Sequence, residues 1–494
     1  VSLFSPETLL ALLLGSLYGA FFGAVPGLTA TLALSLAIPF LLFTGPEVAM
    51  AALIGISATA IFAGDIGSIL VRLPGTPASA AYTEEIHELA QKRSPSLALG
   101  LSALPSAVGS LVGLLFLIVG SLGLVWLARQ FSSFEYFWLV LLGIVSGVLA
   151  TPNVFKALIA FGLGMLLATV GYDPALGHPR FTLGRPELLG GINFIVALIA
   201  FFGVSEVLEY LYRKERGAGR PSIPLAASLR AYFLEPLLEA WRFRGALLRS
   251  SLLGTFVGFL PGAGSDIAAW VTSNLARLRK APKEEVVLSG ASANNAAVAG
   301  AWIPAMALGL PGDTLTAILL GMFLAFGITP GPDLFKNHAP LVFQIYGAFF
   351  LVSALLMPLV GYLSTFLVRA ILQVPREVLM AVVLALCAVG AYAVNNNPFD
   401  LYLLAALGAL GFVLRRGGFP LGQVVLGMVL GPLLEQHFMT SMIKTHWNLF
   451  SFFERPLAVL LALVNLGLLV ALPLLRYRQA LRLRAMEERL HPGD

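Results

Sequence analysis

Gly15-Ser-Leu-Tyr-Gly-Ala-Phe-Phe-Gly-Ala-Val-Pro-Gly-Leu-Thr-Ala30 and Gly254-Thr-Phe-Val-Gly-Phe-Leu-Pro-Gly-Ala-Gly-Ser265 are the two stretches that decide the fold. In each, glycines recur every four positions along one helical face, and the run then breaks at Pro-Gly. Small residues at that spacing let helix backbones approach closely in a membrane, whereas Pro removes a backbone donor and Gly permits a sharp turn. About fifty residues beyond each lies a second shared motif, Leu73-Pro-Gly-Thr-Pro-Ala-Ser79 and Leu310-Pro-Gly-Asp-Thr314. Two paired motifs at matched spacing make the chain a tandem repeat. Broken helices repeated at membrane depth are the sequence mark of secondary transporters.

The composition around these motifs places them in a bilayer. Of 494 residues, 58% are hydrophobic and 12% charged, against roughly 25% charged in soluble domains. At roughly 20 apolar residues per crossing, the length accommodates on the order of ten to fourteen spans. The predicted fold is an all-α polytopic integral membrane protein with broken helices and re-entrant hairpins. With 50 Gly and 30 Pro, interruptions at membrane depth are tolerable only where the freed backbone is enclosed by protein or lines a cavity. Residues Val1 to Pro6 lack a basic leader, so the first helix is expected to be retained. The single cysteine, Cys387, lies in an apolar run and is expected to be a small packing residue. Nucleic acid is not implied by the net charge of +5, because the basic residues cluster at the ends of apolar runs.

Four regions follow: a first transmembrane repeat over 1–212, a basic linker over 213–245, a second repeat with C-terminal helices over 246–475, and a basic tail over 476–494. The stretch from Arg213 to Arg249 carries eight Arg or Lys against Glu215, Glu235 and Glu239. Within it Tyr232, Phe233, Leu234, Leu237, Leu238, Trp241 and Phe243 alternate with charges, as an amphipathic helix lying in the bilayer interface requires. Between the two motifs, repeat one has only Glu47 beside Thr44-Gly45-Pro46, whereas repeat two has Arg277, Arg279, Lys280 and Lys283. After the second motif the bias reverses, with Lys92 and Arg93 in repeat one and only Lys336 in repeat two. Equivalent loops therefore lie on opposite sides. The positive-inside rule predicts two inverted-topology repeats, with the linker and the arginine-rich C-terminus cytoplasmic.

No enzyme chemistry emerges. There is no Gly-x4-Gly-Lys-Ser/Thr loop, and Gly262-Ala-Gly264 lacks the third glycine of a dinucleotide turn. His87-Glu-Leu-Ala-Gln91 has glutamine where a zinc protease needs its second histidine, and reads as a polar loop. Lys156 reads as a snorkelling anchor. What remains is polar residues in or beside apolar runs, functional by default because burying them is costly: Asp65, Arg72, Asp266, Asn294, Asn295 and Asp313. They adjoin the repeated glycine loops, whose N–H groups and helix N-termini suit carboxylates. The expected substrate site is Gly27, Leu28, Thr29, Arg72, Pro74, Gly75, Thr76, Pro261, Gly262, Ala263, Gly264, Ser265, Pro311 and Gly312. Asp266, Asn294, Asn295 and Asp313 are the expected cation ligands, sodium being the only metal in question. The competing reading is that the glycines serve close packing and the hydroxyls bond back to helix carbonyls.

At these residues a family resemblance becomes specific. Gly23-Ala-Val-Pro-Gly-Leu-Thr-Ala30, Leu73-Pro-Gly-Thr-Pro-Ala-Ser79, Arg185-Pro-Glu-Leu-Leu-Gly-Gly-Ile-Asn-Phe194, Phe202-Gly-Val-Ser-Glu-Val-Leu208, Pro261-Gly-Ala-Gly264 and Ala293-Asn-Asn-Ala-Ala-Val-Ala-Gly-Ala-Trp-Ile-Pro304 carry it. Asn397-Pro-Phe-Asp-Leu-Tyr402, Arg415-Arg-Gly-Gly-Phe-Pro420 and Leu430-Gly-Pro-Leu-Leu-Glu435 extend it. The chain resembles the large membrane subunit of tripartite tricarboxylate transporters, the TctA type. That resemblance implies uptake of di- or tricarboxylates across a bacterial inner membrane, coupled to Na+ or H+ and without an organic cofactor. It also implies two partners, a small membrane subunit and a periplasmic binding protein that delivers substrate. The rival reading is a gated channel or stand-alone organic-anion porter with no delivery protein. The sequence departs from the family at Arg72, where asparagine is usual, at Ala63-Gly64-Asp65, and at Glu85-Ile-His-Glu88. Arg72 is expected to meet either an extra substrate carboxylate or Asp65.

Overall fold

The computed structural model describes residues 5–25, 27–173, 177–213, 228–260, 264–372 and 374–470, with side chains omitted over 367–372. Pro26, Pro261, Gly262, Ala263, linker positions 214–227 and the basic tail lie outside the described residues. The first half holds α1 (Pro6–Ala24), α2 (Ala30–Leu41), α3 (Pro46–Val71), α4 (Thr83–Lys92), α5 (Pro95–Ala128), α6 (Ser133–Ala150) and α7 (Val154–Ala168). A two-residue hairpin pairing Gly171–Tyr172 with Pro179–Arg180 follows, then α8 (Phe194–Leu198) and α9 (Ser205–Arg213), joined through a π-helical stretch, Ile199–Val204. The second half holds α10 (Glu235–Arg242), α11 (Arg244–Phe259), α12 (Gly264–Leu278), α13 (Lys283–Leu308), α14 (Thr314–Ala325), α15 (Pro332–Asn337), α16 (Ala339–Leu351), α17 (Met357–Leu372), α18 (Arg376–Asn395), α19 (Phe399–Arg416), α20 (Leu421–Lys444) and α21 (Pro456–Val470). The fold is all-α. Among the described residues seven helical stretches are long and apolar enough to cross a bilayer, and α2, α7, α14 and α21 are apolar but shorter.

The halves share one plan. Gly15, Gly19 and Gly23 of α1 lie against the backbone at Ala52, Ile56 and Ala60 of α3, so these helices run parallel. Gly254 and Gly258 of α11 lie in the same way against Ala293 and Ala297 of α13. Both central helices, α3 and α13, have 26 residues. Each is buried without interruption, from Ala49 to Leu70 and from Val286 to Ala307. Complete enclosure by protein is why α13 tolerates Ser289, Ser292, Asn294 and Asn295.

Their directions are opposed. At the end of α3, His87 of α4 meets the Ile69 carbonyl at 2.9 Å. There α4 and the start of α5 meet the beginning of α13, through ion pairs from Glu88 to Lys283 and from Arg93 to Glu284. At the other end of the molecule Gln344 of α16 donates to the Glu47 carbonyl, where α3 begins. The hairpin α1–α2 thus enters from the Glu47 end and α11–α12 from the Arg93 end. The halves also exchange elements. Gly164 of α7 packs on Gly427 of α20, while Gly408 and Gly411 of α19 pack on Val204 and Phe201.

Two local readings change. His87–Gln91, expected as a polar loop, is helical because Ile86, Leu89 and Ala90 recur at helical spacing and are buried. In the linker, α10 leaves Leu237, Leu238 and Trp241 exposed, but Tyr232 is fully buried and donates to the Pro358 carbonyl at 2.9 Å. Lys156 reaches the Gly417 carbonyl at 2.6 Å, and Cys387 is buried against Gly203.

Candidate functional site

The hairpin tips and both Leu-Pro-Gly loops converge on a cavity of about 360 Å³. Half one supplies Thr29, Thr31, Thr76 and Pro77, and half two supplies Gly264, Ser265, Asp266, Asn294, Asp313 and Thr314. The exchanged hairpins close it with Thr151 and Pro152 at the α6–α7 turn, and with Pro420, Gly422 and Gln423 at the start of α20.

The two loops are built alike. After each Leu-Pro-Gly, residues three apart cap one another: the Thr76 amide donates to the Ser79 hydroxyl and the Ser79 amide to Thr76, both at 3.1 Å. In half two the Asp313 amide donates to the Thr316 hydroxyl at 2.9 Å, and the Thr316 amide to the Asp313 carboxylate at 2.8 Å. The halves are also tied across the cavity, because Trp270 of α12 donates to the Pro77 carbonyl at 3.1 Å.

Electrostatically the cavity has two faces. The N-terminal ends of α2, α12, α14 and α20 lie at its wall, and helix N-termini carry partial positive charge that attracts anions. Yet no Lys, Arg or His lines it among the described residues, and its ionisable side chains are Asp266 and Asp313, close enough to repel each other. Among the described residues Asn294 Oδ1 and Gln423 Oε1 also have no hydrogen-bond partner. The cavity thus joins dipoles that favour an anion to acceptor oxygens that favour a cation.

A family model described as the tripartite tricarboxylate transporter TctA family matches residues 9–426. The chain belongs to that family. It is 33% identical over 456 residues to the "Uncharacterized 52.8 kDa protein in TAR-I ttuC' 3'region" of Agrobacterium vitis, an alignment covering 88% of this chain and 87% of that protein. A second A. vitis protein, "Uncharacterized protein in TAR-II ttuC' 3'region", is 35% identical over 241 residues, which is 46% of this chain and 97% of that one. No solved structure matches the chain. As a TctA-family protein it is a multi-pass membrane subunit of a transporter.

In this TctA-family chain, the expected residues that the cavity gathers are Thr29, Thr76, Gly264, Ser265, Asp266, Asn294 and Asp313. Others stand elsewhere. Gly27, with φ +94°, lines a neighbouring cavity with Glu206 and Arg415. Leu28 is buried core and Pro74 is exposed. Gly75 and Gly312, with Pro311 buried beside the latter, serve contact: a Cβ would stand 2.7 Å from the Gly23 carbonyl oxygen at one and 2.9 Å from that of Gly258 at the other. Asn295 turns to the Met357 sulfur at 3.3 Å. Arg72 ends α3 in a left-handed conformation, φ 56°, is exposed, and pairs with Glu84 through Nε at 3.0 Å, lowering the Glu84 carboxyl below the usual range. It meets neither the cavity nor Asp65, because the left-handed cap turns the chain outward at that point. Gln423 and Thr151 were not anticipated from sequence, since neither sits in a repeated motif.

Proposed function

We propose that this chain is the large subunit of a binding-protein-dependent symporter that takes up di- or tricarboxylates together with Na+ or H+. A small membrane subunit and a periplasmic solute-binding protein are its partners, and the Arg93 end, which carries the excess of basic side chains, faces the cytoplasm. The observation that carries the reading is the cavity's charge pattern: helix N-termini at its wall, two aspartates and, among the described residues, two unpartnered amide oxygens and no basic side chain. At an effective dielectric of 20, unit charges about 6 Å apart repel by about 3 kcal/mol, so a polycarboxylate beside Asp266 and Asp313 needs cations bound with it. Coupling is then obligatory rather than added. Entry of one positive charge across 100 mV supplies about 2.3 kcal/mol, and opposed hairpins provide two gates around one site.

The test is uptake of radiolabelled mono-, di- and tricarboxylates into proteoliposomes holding both membrane subunits, with binding protein added. Saturable accumulation that needs both the binding protein and a cation gradient is the expected result. Flux that proceeds through this chain alone, down the substrate gradient and with no cation dependence, would make it a channel or simple porter.

A further inference from the structure

Asp65 is a buried acid for which the cavity chemistry has no use. It sits inside α3 at 0% exposure. Its carboxylate meets the Tyr82 hydroxyl at 3.0 Å on Oδ1 and 2.9 Å on Oδ2, and the Ser102 hydroxyl at 2.6 Å on Oδ2. No cationic side chain touches it among the described residues. Tyr82, at the head of α4, is the titratable group facing it. From α5 and α13 come Ser102 and Asn294, and Arg72, Glu84, Glu85, His87 and Glu88 are engaged with one another, with Arg277, with the Ile69 carbonyl and with Lys92 and Lys283. Asp266 and Asp313 face the cavity.

The hydrogen bonds fit both protonation states. When Asp65 is ionised, Tyr82 and Ser102 each donate to it. When Oδ2 carries a proton, that O–H donates to Ser102, and the Ser102 proton has a second acceptor in the Phe62 carbonyl oxygen, 3.5 Å away. No polar group is orphaned by either change, the condition that buried polar networks must meet. The network also approaches the cavity, because the Tyr82 ring packs on Gly290, one turn of α13 before Asn294, whose Oδ1 has no hydrogen-bond partner among the described residues and which lines the cavity. An ionised acid strengthens the Tyr82 bond and so fixes the ring that rests on α13 beside Asn294.

We propose that Asp65 carries a coupling proton, outside the substrate cavity, and that Tyr82 and Asn294 transmit its protonation state to the bound substrate. This rests on the symporter reading and adds a proton to whatever cation the cavity takes.

The test uses the complete transporter in proteoliposomes with equal sodium on both sides. A pH gradient is expected to drive carboxylate accumulation by wild type, and Asp65→Asn to lower the accumulation ratio at least tenfold, while exchange in that variant persists without pH dependence. Accumulation by Asp65→Asn equal to wild type, or wild-type accumulation indifferent to the pH gradient, overturns the proposal. Infrared difference titration of the purified complex needs no substrate: a protonated-carboxyl band that titrates in wild type and is missing in Asp65→Asn is expected, and its absence from wild type also overturns it. Should Asp65→Asn fail to assemble, Tyr82→Phe decides, since it keeps the ring on Gly290 and cuts the relay; an unshifted pH profile of uptake counts against the proposal. If wild type takes up no carboxylate under any gradient while the band still titrates, it is the symporter reading that fails.

Discussion

Set side by side, Leu73–Thr76 and Leu310–Asp313 follow one path, each glycine resting on the carbonyl of the last glycine of a broken helix, Gly23 or Gly258. Their side chains differ. Half one brings Thr29, Thr31 and Thr76 to the cavity, and half two brings Asp266, Asn294 and Asp313. Four residues beyond the Gly of each Pro-Gly break stands Thr31 in one half and Asp266 in the other; ten residues before each loop glycine stands Asp65 or Trp302. Backbone spacing is thus held alike, because it decides whether the hairpins close, while the ligands have diverged. The symport proposed above draws on both, the symmetric frame for two equivalent ways to open and the unlike side chains for an anion and a cation at one site.

The first way to break the comparison is to overfill both loops. Gly75→Val and Gly312→Val each drive a side chain into backbone that has no rotamer to yield. Both are expected to cost about 3 kcal/mol, at the upper end of overpacking penalties, read as loss of monodisperse protein in detergent and a lower melting temperature. The two should fall together. If one half tolerates valine and the other does not, the shared backbone path does not have the same structural role in both.

The second sharpens the chemical difference. Asn caps a helix about as well as Asp, whereas Ala costs about 1 kcal/mol, so Asp313→Asn should melt with wild type and Asp313→Ala below it. Both should raise the cation concentration needed for half-maximal uptake. Thr76→Ala should show the capping loss with no change in cation dependence. A cation shift in Thr76→Ala as large as that in Asp313→Asn would erase the division between the halves.

How much of this was legible in sequence depended on whether a residue sat inside a repeated motif. Thr29, Thr76, Ser265, Asp266 and Asp313, which line the cavity, all sit in or beside repeated motifs, and repetition at matched spacing implies equivalent places. Gly75 and Gly312 stand in helix contact rather than at the cavity wall, and sequence does not separate the two, since close helix contact and close ligand approach both require a missing side chain. Arg72 was misplaced because polarity near an apolar run says nothing about direction, which its left-handed cap sets. Gln423 and Thr151 were invisible: they reach the cavity through hairpins exchanged between halves, and no local pattern encodes where a distant hairpin docks. α4 was hidden by the charge density of Thr83–Lys92, although Ile86, Leu89 and Ala90 already marked a helical face.

The smallest effect concerns a feature that only one half has. The short helix before the long α5, α4, carries Glu84, Glu85 and Glu88, all ion-paired, and Glu88 bonds both Lys92 of its own helix and Lys283 at the start of α13. Its counterpart before α16, the short α15, has Asp333 and Lys336, with no ion pair among the described residues. Lys283 and Lys92 hold the Glu88 carboxyl at about 2, below its ordinary 4.5. Between those values the unfolded chain binds more protons than the folded one, so the contribution is complete above about 4.5 and is lost as pH falls towards 2. Glu88→Gln should therefore lower the melting temperature slightly at pH 7, with the gap to wild type narrowing between pH 4.5 and 3. Because Glu88 lies at the surface, added salt should shrink the gap as well. Thermal unfolding of both proteins in detergent across that range checks it, and a gap that stays constant down to pH 3 would mean that the Lys283 pair does not fasten the first half to the second.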